Sequence, residues 1–270
     1  MRATICAIAV TLGVVAASLH IDAIAQAPVA APASGGPVDR ALLEDVATAS
    51  RILADQGVLD AFGHVSVRHP KNPERFLMSR SLAPELVTAD DILELDLAGD
   101  AVDARGRSLF LERFIHAEIY RRRPDVMAIV HSHSPAVIPF GVTTRPMMAM
   151  YHNAAFLAGG VPVFDIRDKF GATDMLVRNS EIGRALAESL GDKPVVLMRG
   201  HGNVATGPTL QIAVFRAIYT EVNARLELQA IGIGGPITAL TPEEGTKADK
   251  VNEQIVGRAW ELWKQRVRGK

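Results

Sequence analysis

The stretch that decides the fold is IVHSHSPA, residues 129–136, an apolar run that carries two histidines and closes on Ser-Pro. Apolar residues run almost without a break from Val126, so residues 126–133 are predicted to form a strand buried on both faces. Side chains alternate along a strand, so His131 and His133 point to the same side, about 6–7 Å apart. Two neutral imidazoles there could hold one metal ion. The alternative is a pair of polar residues at a strand end.

A third histidine follows a second apolar strand. His201 lies between Gly200 and Gly202, directly after the predicted strand 194–199 and inside the predicted turn 199–207. Glycines on both sides let the backbone approach a neighbour closely or take a positive φ, so this turn is suited to present one side chain. Three histidines at the ends of two buried strands predict a three-ligand site with open coordination positions, which is typical of catalytic metals.

A carboxylate lies on the helix predicted for residues 109–123. Glu112 is followed one turn later by His116 on the same face of this helix. A carboxylate beside a metal-bound substrate can act as a general acid or base. The alternative is a solvated helical glutamate, which is the commoner situation.

The rest of the chain predicts an α/β architecture in which helices cover one central sheet. Further strands are predicted at residues 64–70, 75–80, 90–97 and 161–166. Further helices are predicted at residues 39–56, 180–190 and 210–231 and after Thr241, with Asp39, Ser180 and Thr241 as N-caps and Ser134-Pro135 opening a short helix.

The order of these motifs resembles the class II aldolase/adducin family over about residues 40–235. The sequence reads ERFIHAEIYRRRPDVMAIVHSH at 112–133, followed by GHG at 200–202. The resemblance implies a single α/β domain, with a central, mainly antiparallel sheet between helical layers. It also implies a homotetramer with active sites between subunits.

The resemblance also implies roles for the site residues. His131, His133 and His201 would hold one divalent metal ion, with zinc preferred and manganese or iron as alternatives. Glu112 would be the acid/base or an additional ligand, and His116 a supporting group behind the ligands.

The positions at which sugar-phosphate members of the family bind phosphate are different in this chain. They read Gly63-His64, SRSLAPEL at 79–86 and SLFL at 108–111, without the small residues and paired hydroxyls that phosphate requires. A phosphorylated substrate is therefore not expected. His64, Arg80 and Ser81 are predicted to bind a carboxylate instead, because arginine suits bidentate recognition. The alternative for Arg80 is a surface strand residue.

Two weaker candidates complete the predicted site. His152 could line the pocket or have a structural role, and Tyr219 could reach a neighbouring subunit's site or pack within its own helical layer.

Three stretches, GHVSVRHP, SRSLAP and ERFIHAEIY, resemble the branch that decarboxylates hydroxy-carboxy-muconic semialdehydes and dihydroxyphthalate. This implies a metal-dependent carbon–carbon lyase that decarboxylates a small non-phosphorylated hydroxy or oxo carboxylic acid through a metal-stabilised enolate. A retro-aldolase or dehydratase acting on a similar acid, or a non-catalytic binding module like adducin, are the alternatives.

The N-terminus and the charge predict the compartment and exclude some partners. Residues 1–25 have the layout of a secretory signal peptide, residues 26–38 that of a flexible linker, and residues 39–270 form the predicted domain. A periplasmic or secreted protein is expected, with an uncleaved anchor as the alternative. The net charge of −1 favours neither nucleic acid nor membrane partners. Cys6 is the only cysteine, so no thiol is expected at the metal site.

Overall fold

A single mixed sheet organises the part of the chain that the computed structural model describes, residues 30–269. Its strand order is β3-β2-β1-β4-β7-β6-β5, and every neighbouring pair is antiparallel except β5–β6. The strands are β1 (His64–Arg68), β2 (Arg75–Ser79), β3 (Ile92–Asp96), β4 (Ala128–Ser132), β5 (Val163–Phe164), β6 (Val195–Met198) and β7 (Gly202–Gly207). The predicted mainly antiparallel sheet is confirmed.

Helices cover both faces of this sheet. They are α1 (Arg40–Asp55), α2 (Arg113–Arg122), α3 (Ile138–Val142), α4 (Arg167–Phe170), α5 (Ser180–Leu190), α6 (Leu210–Ile233) and α7 (Pro242–Arg266). One apolar core joins α1, α6 and α7 to the sheet, and a second joins α2 and α5 to its other face. Val130 belongs to the first core and its neighbour Ile129 to the second, which explains why β4 is apolar at successive positions.

Several predicted boundaries are correct and others are not. Asp39 and Thr241 cap α1 and α7 as predicted, but α5 is capped by Asn179 instead of Ser180. The helix predicted from residue 109 begins at Arg113. Residues 135–137 form a turn and α3 begins at Ile138, so Ser134-Pro135 does not open this helix.

The largest error concerns residues 202–207, which were predicted to form part of a turn. They are β7, which lies between β4 and β6 at the centre of the sheet. Small and polar residues hide this strand in the sequence, although all six of its positions are buried.

The predicted signal peptide lies outside the described residues, as do residues 26–29 of the predicted linker. The rest of that linker contacts the domain: Arg75 donates to the carbonyl of Ala33 at 2.9 Å, and Lys71 donates to that of Pro37 at 2.7 Å. The three predicted boundaries stay predictions. Within residues 30–269, no helix has both the length and the apolar character needed to span a membrane.

Candidate metal centre

The histidines of the candidate site are brought together by the pairing of β4 with β7. His131 lies in β4, His133 is the first residue after that strand, and His201 directly precedes β7. The register pairs Ser132 with Asn203, so the two histidine-bearing chain segments lie side by side at one end of the sheet.

The two glycines around His201 have the roles that the sequence suggested. Gly200 has a φ of 63°, a left-handed conformation that glycine adopts without a steric cost. At Gly202, an added Cβ atom would lie 2.0 Å from the carbonyl oxygen of Ser132. Only glycine therefore allows the turn to lie directly against β4.

Four potential ligand atoms converge at this point. Those of Glu112, His131, His133 and His201 all lie within 4.8 Å of one another. Nε2 of His133 is 3.0 Å from Nε2 of His201, and Oε2 of Glu112 is 3.5 Å and 3.4 Å from Nε2 of His131 and His201. The structure thus places together the four side chains that the sequence singled out.

Backbone carbonyls fix which nitrogen of two imidazoles carries the proton. Nδ1 of His131 donates to the carbonyl of Asn203 at 3.2 Å, and Nδ1 of His201 donates to that of Met175 at 3.1 Å. In a neutral imidazole, Nε2 is then the unprotonated nitrogen, which is the state that binds a metal.

The donor set fits a divalent metal ion. Nε2 of His131 is buried and has no hydrogen-bond partner among residues 30–269. Nitrogen lone pairs of His133 and His201 that face each other at 3.0 Å repel unless a cation or a proton lies between them. Three imidazoles and one carboxylate suit zinc, manganese or iron.

Glu112 is held as an ionised carboxylate at the edge of this cluster. It lies just before α2, and its Oε1 accepts a hydrogen bond from the backbone N–H of Val177 at 3.0 Å. Burial raises the pKa of Glu112, but the adjacent imidazoles of His131 and His201 outweigh burial and hold this pKa well below its usual range. An ionised carboxylate is competent as a ligand or a base. The predicted catalytic role stays a prediction.

A loop that the sequence did not single out supports two of the four side chains. Its Met175 has a φ of 72°, in the left-handed region that non-glycine residues rarely adopt. In this conformation the Met175 carbonyl accepts the hydrogen bond from Nδ1 of His201. Two residues later, the backbone N–H of Val177 donates to Oε1 of Glu112. The sequence carries no signal for this role, because both contacts are made by backbone groups.

A pocket of about 430 Å³ opens beside the cluster. Its polar side chains are those of His64, Ser81, Glu112 and His133, and apolar residues provide most of its remaining wall. These apolar residues are Ala61, Phe62, Leu82, Ala83, Phe110, Leu111 and Leu176. The pocket has the size and the mainly apolar lining of a small-molecule site. His64 and Ser81 thus lie where substrate contacts were predicted.

Arg80 and His116 do not line the pocket. Nε of Arg80 donates to Oδ1 of Asp91 at 2.7 Å, and Arg80 is absent from the residues that line the pocket. This geometry gives its predicted role as a carboxylate ligand no support. His116 is fully buried, and its Nε2 lies 2.7 Å from Nδ1 of His64, so it supports a pocket residue.

The two weaker candidates lie in the layer of α6 and α7. His152 is exposed, and its backbone carbonyl accepts a hydrogen bond from Asn252 in α7. The ring of Tyr219 packs against Phe215 at a centroid distance of 4.5 Å and also contacts Trp263. Neither side chain lines the pocket within this chain, and the contribution of Tyr219 to another subunit stays a prediction.

Comparisons with known proteins agree with the resemblance. The model of the family described as "Class II Aldolase and Adducin N-terminal domain" matches residues 44–228. Decarboxylase tropJ of Talaromyces stipitatus is 36% identical over 239 residues, which cover 80% of this chain and 90% of that protein. The 3,4-dihydroxyphthalate decarboxylase of Arthrobacter keyseri is 34% identical over 212 residues, covering 73% of this chain and 82% of that enzyme.

A solved structure supports the fold. The L-fuculose 1-phosphate aldolase of Glaciozyma antarctica PI12 superposes with a TM-score of 0.69 at 25% identity, covering 86% of this chain and 94% of the aldolase.

Proposed function

Because the chain belongs to the class II aldolase/adducin family, we propose that it is a metal-dependent carbon–carbon lyase that decarboxylates a small, non-phosphorylated hydroxy or oxo carboxylic acid. The observation that carries this proposal is the convergence of four ligand atoms within 4.8 Å beside a pocket of substrate size. A purely binding domain has no need for this set of buried donors.

His131, His133 and His201 would hold the metal ion, with Glu112 as a fourth ligand or as a base. A divalent metal bound there supplies Lewis acidity to the oxygen atoms of the substrate. Zinc is the preferred ion, because zinc accepts three imidazoles and a carboxylate, and manganese and iron are the alternatives.

The pocket favours an acid with a flat apolar body. Phe62 and Phe110 offer aromatic surface, whereas His64 and Ser81 offer hydrogen-bond donors on the same pocket wall. Relatives of this chain are named for 3,4-dihydroxyphthalate, an aromatic acid with adjacent hydroxyl groups. A hydroxylated aromatic acid is therefore the first substrate to test.

The chain's own residues would orient this acid and manage its protons. His64 and Ser81 would hold a carboxylate, while the exposed apolar side chains of Phe62 and Leu111, which also line the pocket, would shield the bound substrate from water. Glu112, whose Oε1 is held by Val177, would use Oε2, which lies beside the histidines, to take a proton from a substrate hydroxyl and return it to carbon after CO₂ is lost.

The test combines elemental analysis with an assay. The protein, purified without chelators, is expected to contain about one divalent ion per chain and to release CO₂ from 3,4-dihydroxyphthalate. The His131→Ala/His133→Ala variant should lose both properties. A metal-free wild-type protein, even after reconstitution, would refute the proposal. A metal-loaded protein that splits hydroxy acids into two carbonyl fragments without CO₂ release would instead identify a retro-aldolase.

The location and the assembly are further parts of the proposal. Residues 1–25 support export to the periplasm or medium, and N-terminal sequencing of the mature protein should find cleavage after Ala25. Family resemblance supports a homotetramer, and light scattering should give about four times the mass of one mature chain. An intact N-terminus or a monomeric mass would contradict the corresponding part.

A further inference from the structure

Behind His64, four buried side chains form a continuous series of hydrogen bonds. Nδ1 of His64 lies 2.7 Å from Nε2 of His116, whose Nδ1 lies 2.6 Å from Oγ of Ser66. The hydroxyl of Ser66 lies 2.8 Å from that of Tyr120. His64 is 5% exposed and the other three residues at most 1%, so this series runs from the pocket wall into the protein interior.

The protons of this series can be ordered in two ways. In the first, Nδ1–H of His64 donates to Nε2 of His116. Because each contact holds one proton, Nδ1–H of His116 must then donate to Ser66, and the hydroxyl of Ser66 to that of Tyr120. The phenol proton of Tyr120 then needs another acceptor, and among residues 30–269 its hydroxyl has no second hydrogen-bond partner. A buried hydroxyl without an acceptor has lost its hydrogen bond to water without a replacement, which disfavours this order.

The opposite order gives every proton inside the series an acceptor. Tyr120 donates to Ser66, Ser66 donates to Nδ1 of His116, and Nε2–H of His116 donates to Nδ1 of His64. The remaining proton of a neutral His64 is then on Nε2. Nδ1 of His64 is occupied by the buried His116, and His64 lines the pocket, which leaves Nε2 as its ring nitrogen available to a ligand there.

We propose that Tyr120, Ser66 and His116 are positioning residues that hold His64 as a fixed, neutral hydrogen-bond donor, and that His64 selects a substrate with an acceptor oxygen, such as a carboxylate oxygen. This inference rests on the proposed function for the identity of the substrate, but the proton order depends on the chain alone. The ring of His64 lies 5.1 Å from that of His131, so the selected oxygen would bind next to the metal ligands.

The series fixes a donor and does not supply a net proton. In this order Nδ1 of His64 and Nδ1 of His116 both accept, so each ring carries its single proton on Nε2 and is neutral. Burial raises the pKa of Tyr120, so the phenol at the far end does not release its proton at neutral pH. His64 is therefore expected to orient the substrate, while the proton that returns to carbon comes from another group.

The direct test is the tautomer of His64 in the full mature protein loaded with zinc. Long-range ¹H–¹⁵N correlation spectra of the histidine-labelled protein distinguish Nε2–H from Nδ1–H rings, and His64→Asn and His116→Gln spectra assign the signals. The expected result is Nε2–H for both His64 and His116. An Nδ1–H form of His64 in the wild-type protein would overturn the proposal without any activity measurement.

Two nearly isosteric variants at position 116 test the consequence for binding. The side chain of His116→Gln has one donor for His64 and one acceptor for Ser66, so it keeps the wild-type proton order. The carboxylate of His116→Glu can only accept, so His64 must carry its proton on Nδ1 to donate to it. With 3,4-dihydroxyphthalate as the probe, the KM of the glutamate variant is expected to exceed that of the glutamine variant by about 10–100-fold, the value of one hydrogen bond to a charged group. The two kcat values should differ less.

Equal KM values for the two variants, with a changed His64 tautomer in the glutamate variant, would overturn the selection role of His64. If the wild-type protein shows the expected tautomer and binds zinc but does not release CO₂ from the probe, 3,4-dihydroxyphthalate is excluded as the substrate while the proton order stands. If the glutamate variant does not fold, the tautomer of His64 in the wild-type protein alone tests the proposal.

Discussion

The carbonyl oxygen of Met175 lies 3.1 Å from Nδ1 of His201, and it reaches that position from a left-handed backbone conformation with a φ of 72°. A strained residue thus orients a metal ligand through its main chain. Such strain persists only where the surrounding structure holds it, and here Met175 N–H donates to Thr173 and Leu176 N–H to Asp174.

The first prediction concerns this backbone conformation. Met175→Gly removes the strain and should keep the carbonyl in place, so its metal affinity should stay close to that of the wild type. Met175→Val, whose β-branched side chain disfavours a positive φ, should weaken metal binding by about 10–100-fold, the usual effect of a lost orienting contact. Competition with a chromogenic chelator measures both affinities. Equal weakening in both variants would mean that the side chain, and not the carbonyl, is responsible.

The second prediction distinguishes Glu112, just before α2, from Glu118, a buried carboxylate within α2. Glu112→Gln keeps the hydrogen bond from Val177 but loses the charge and the basic oxygen, so CO₂ release should fall by about 10²–10⁴-fold. Glu118 is a matched control, because it is also buried but faces Arg121 and Arg184 instead of the histidines. Glu118→Gln should leave turnover within a few-fold of the wild type. Unchanged turnover in Glu112→Gln would remove this residue from the chemistry.

The third prediction concerns the close approach of the His201 turn to β4. Gly202→Ala places a Cβ atom 2.0 Å from the carbonyl of Ser132, so the strand pair must separate. The variant should lose about 1–3 kcal/mol of unfolding free energy and bind metal more weakly. Gly232→Ala is the control, because an added Cβ atom in that part of α6 meets nothing within 4 Å. Urea unfolding of the two variants should show a loss only for Gly202→Ala.

The fourth prediction is the pH dependence of stability. Burial is the first cause that lowers the pKa values of His64 and His116 well below 6.5, and it lowers the pKa of His133 to about 4. Between these values and about 6.5, the unfolded chain binds protons that the folded chain does not, so stability falls as the pH falls. Each fully buried histidine contributes about 1.4 kcal/mol per pH unit below about 6.5.

Urea unfolding of the metal-free protein at pH 7, 6 and 5 measures this dependence without a contribution from metal release. His116→Gln, which removes one of the titrating groups, should reduce the slope by about one proton, or about 1.4 kcal/mol per pH unit. A wild-type protein that is equally stable at pH 7 and pH 5 would contradict the prediction.

The sequence alone was sufficient to single out the candidate metal ligands and to predict the fold class, because both depend on local spacing. Alternation along a strand places His131 and His133 on one side, and the glycines around His201 indicate a turn that presents one side chain. Uninterrupted apolar strands between amphipathic helices predict a sheet covered on both faces, and the structure has this arrangement.

Only the tertiary structure decided how these local elements are joined and what surrounds the metal ligands. The pairing of β4 with β7 joins residues 71–79 positions apart, and the small residues of β7 carry no strand signal of their own. The pairing of Arg80 with Asp91 and the support of His201 by Met175 join residues 11 and 26 positions apart, and no local spacing indicates either contact. A backbone carbonyl is present at every residue, so its role in orienting a ligand depends on the folded path of the chain and not on the residue's identity.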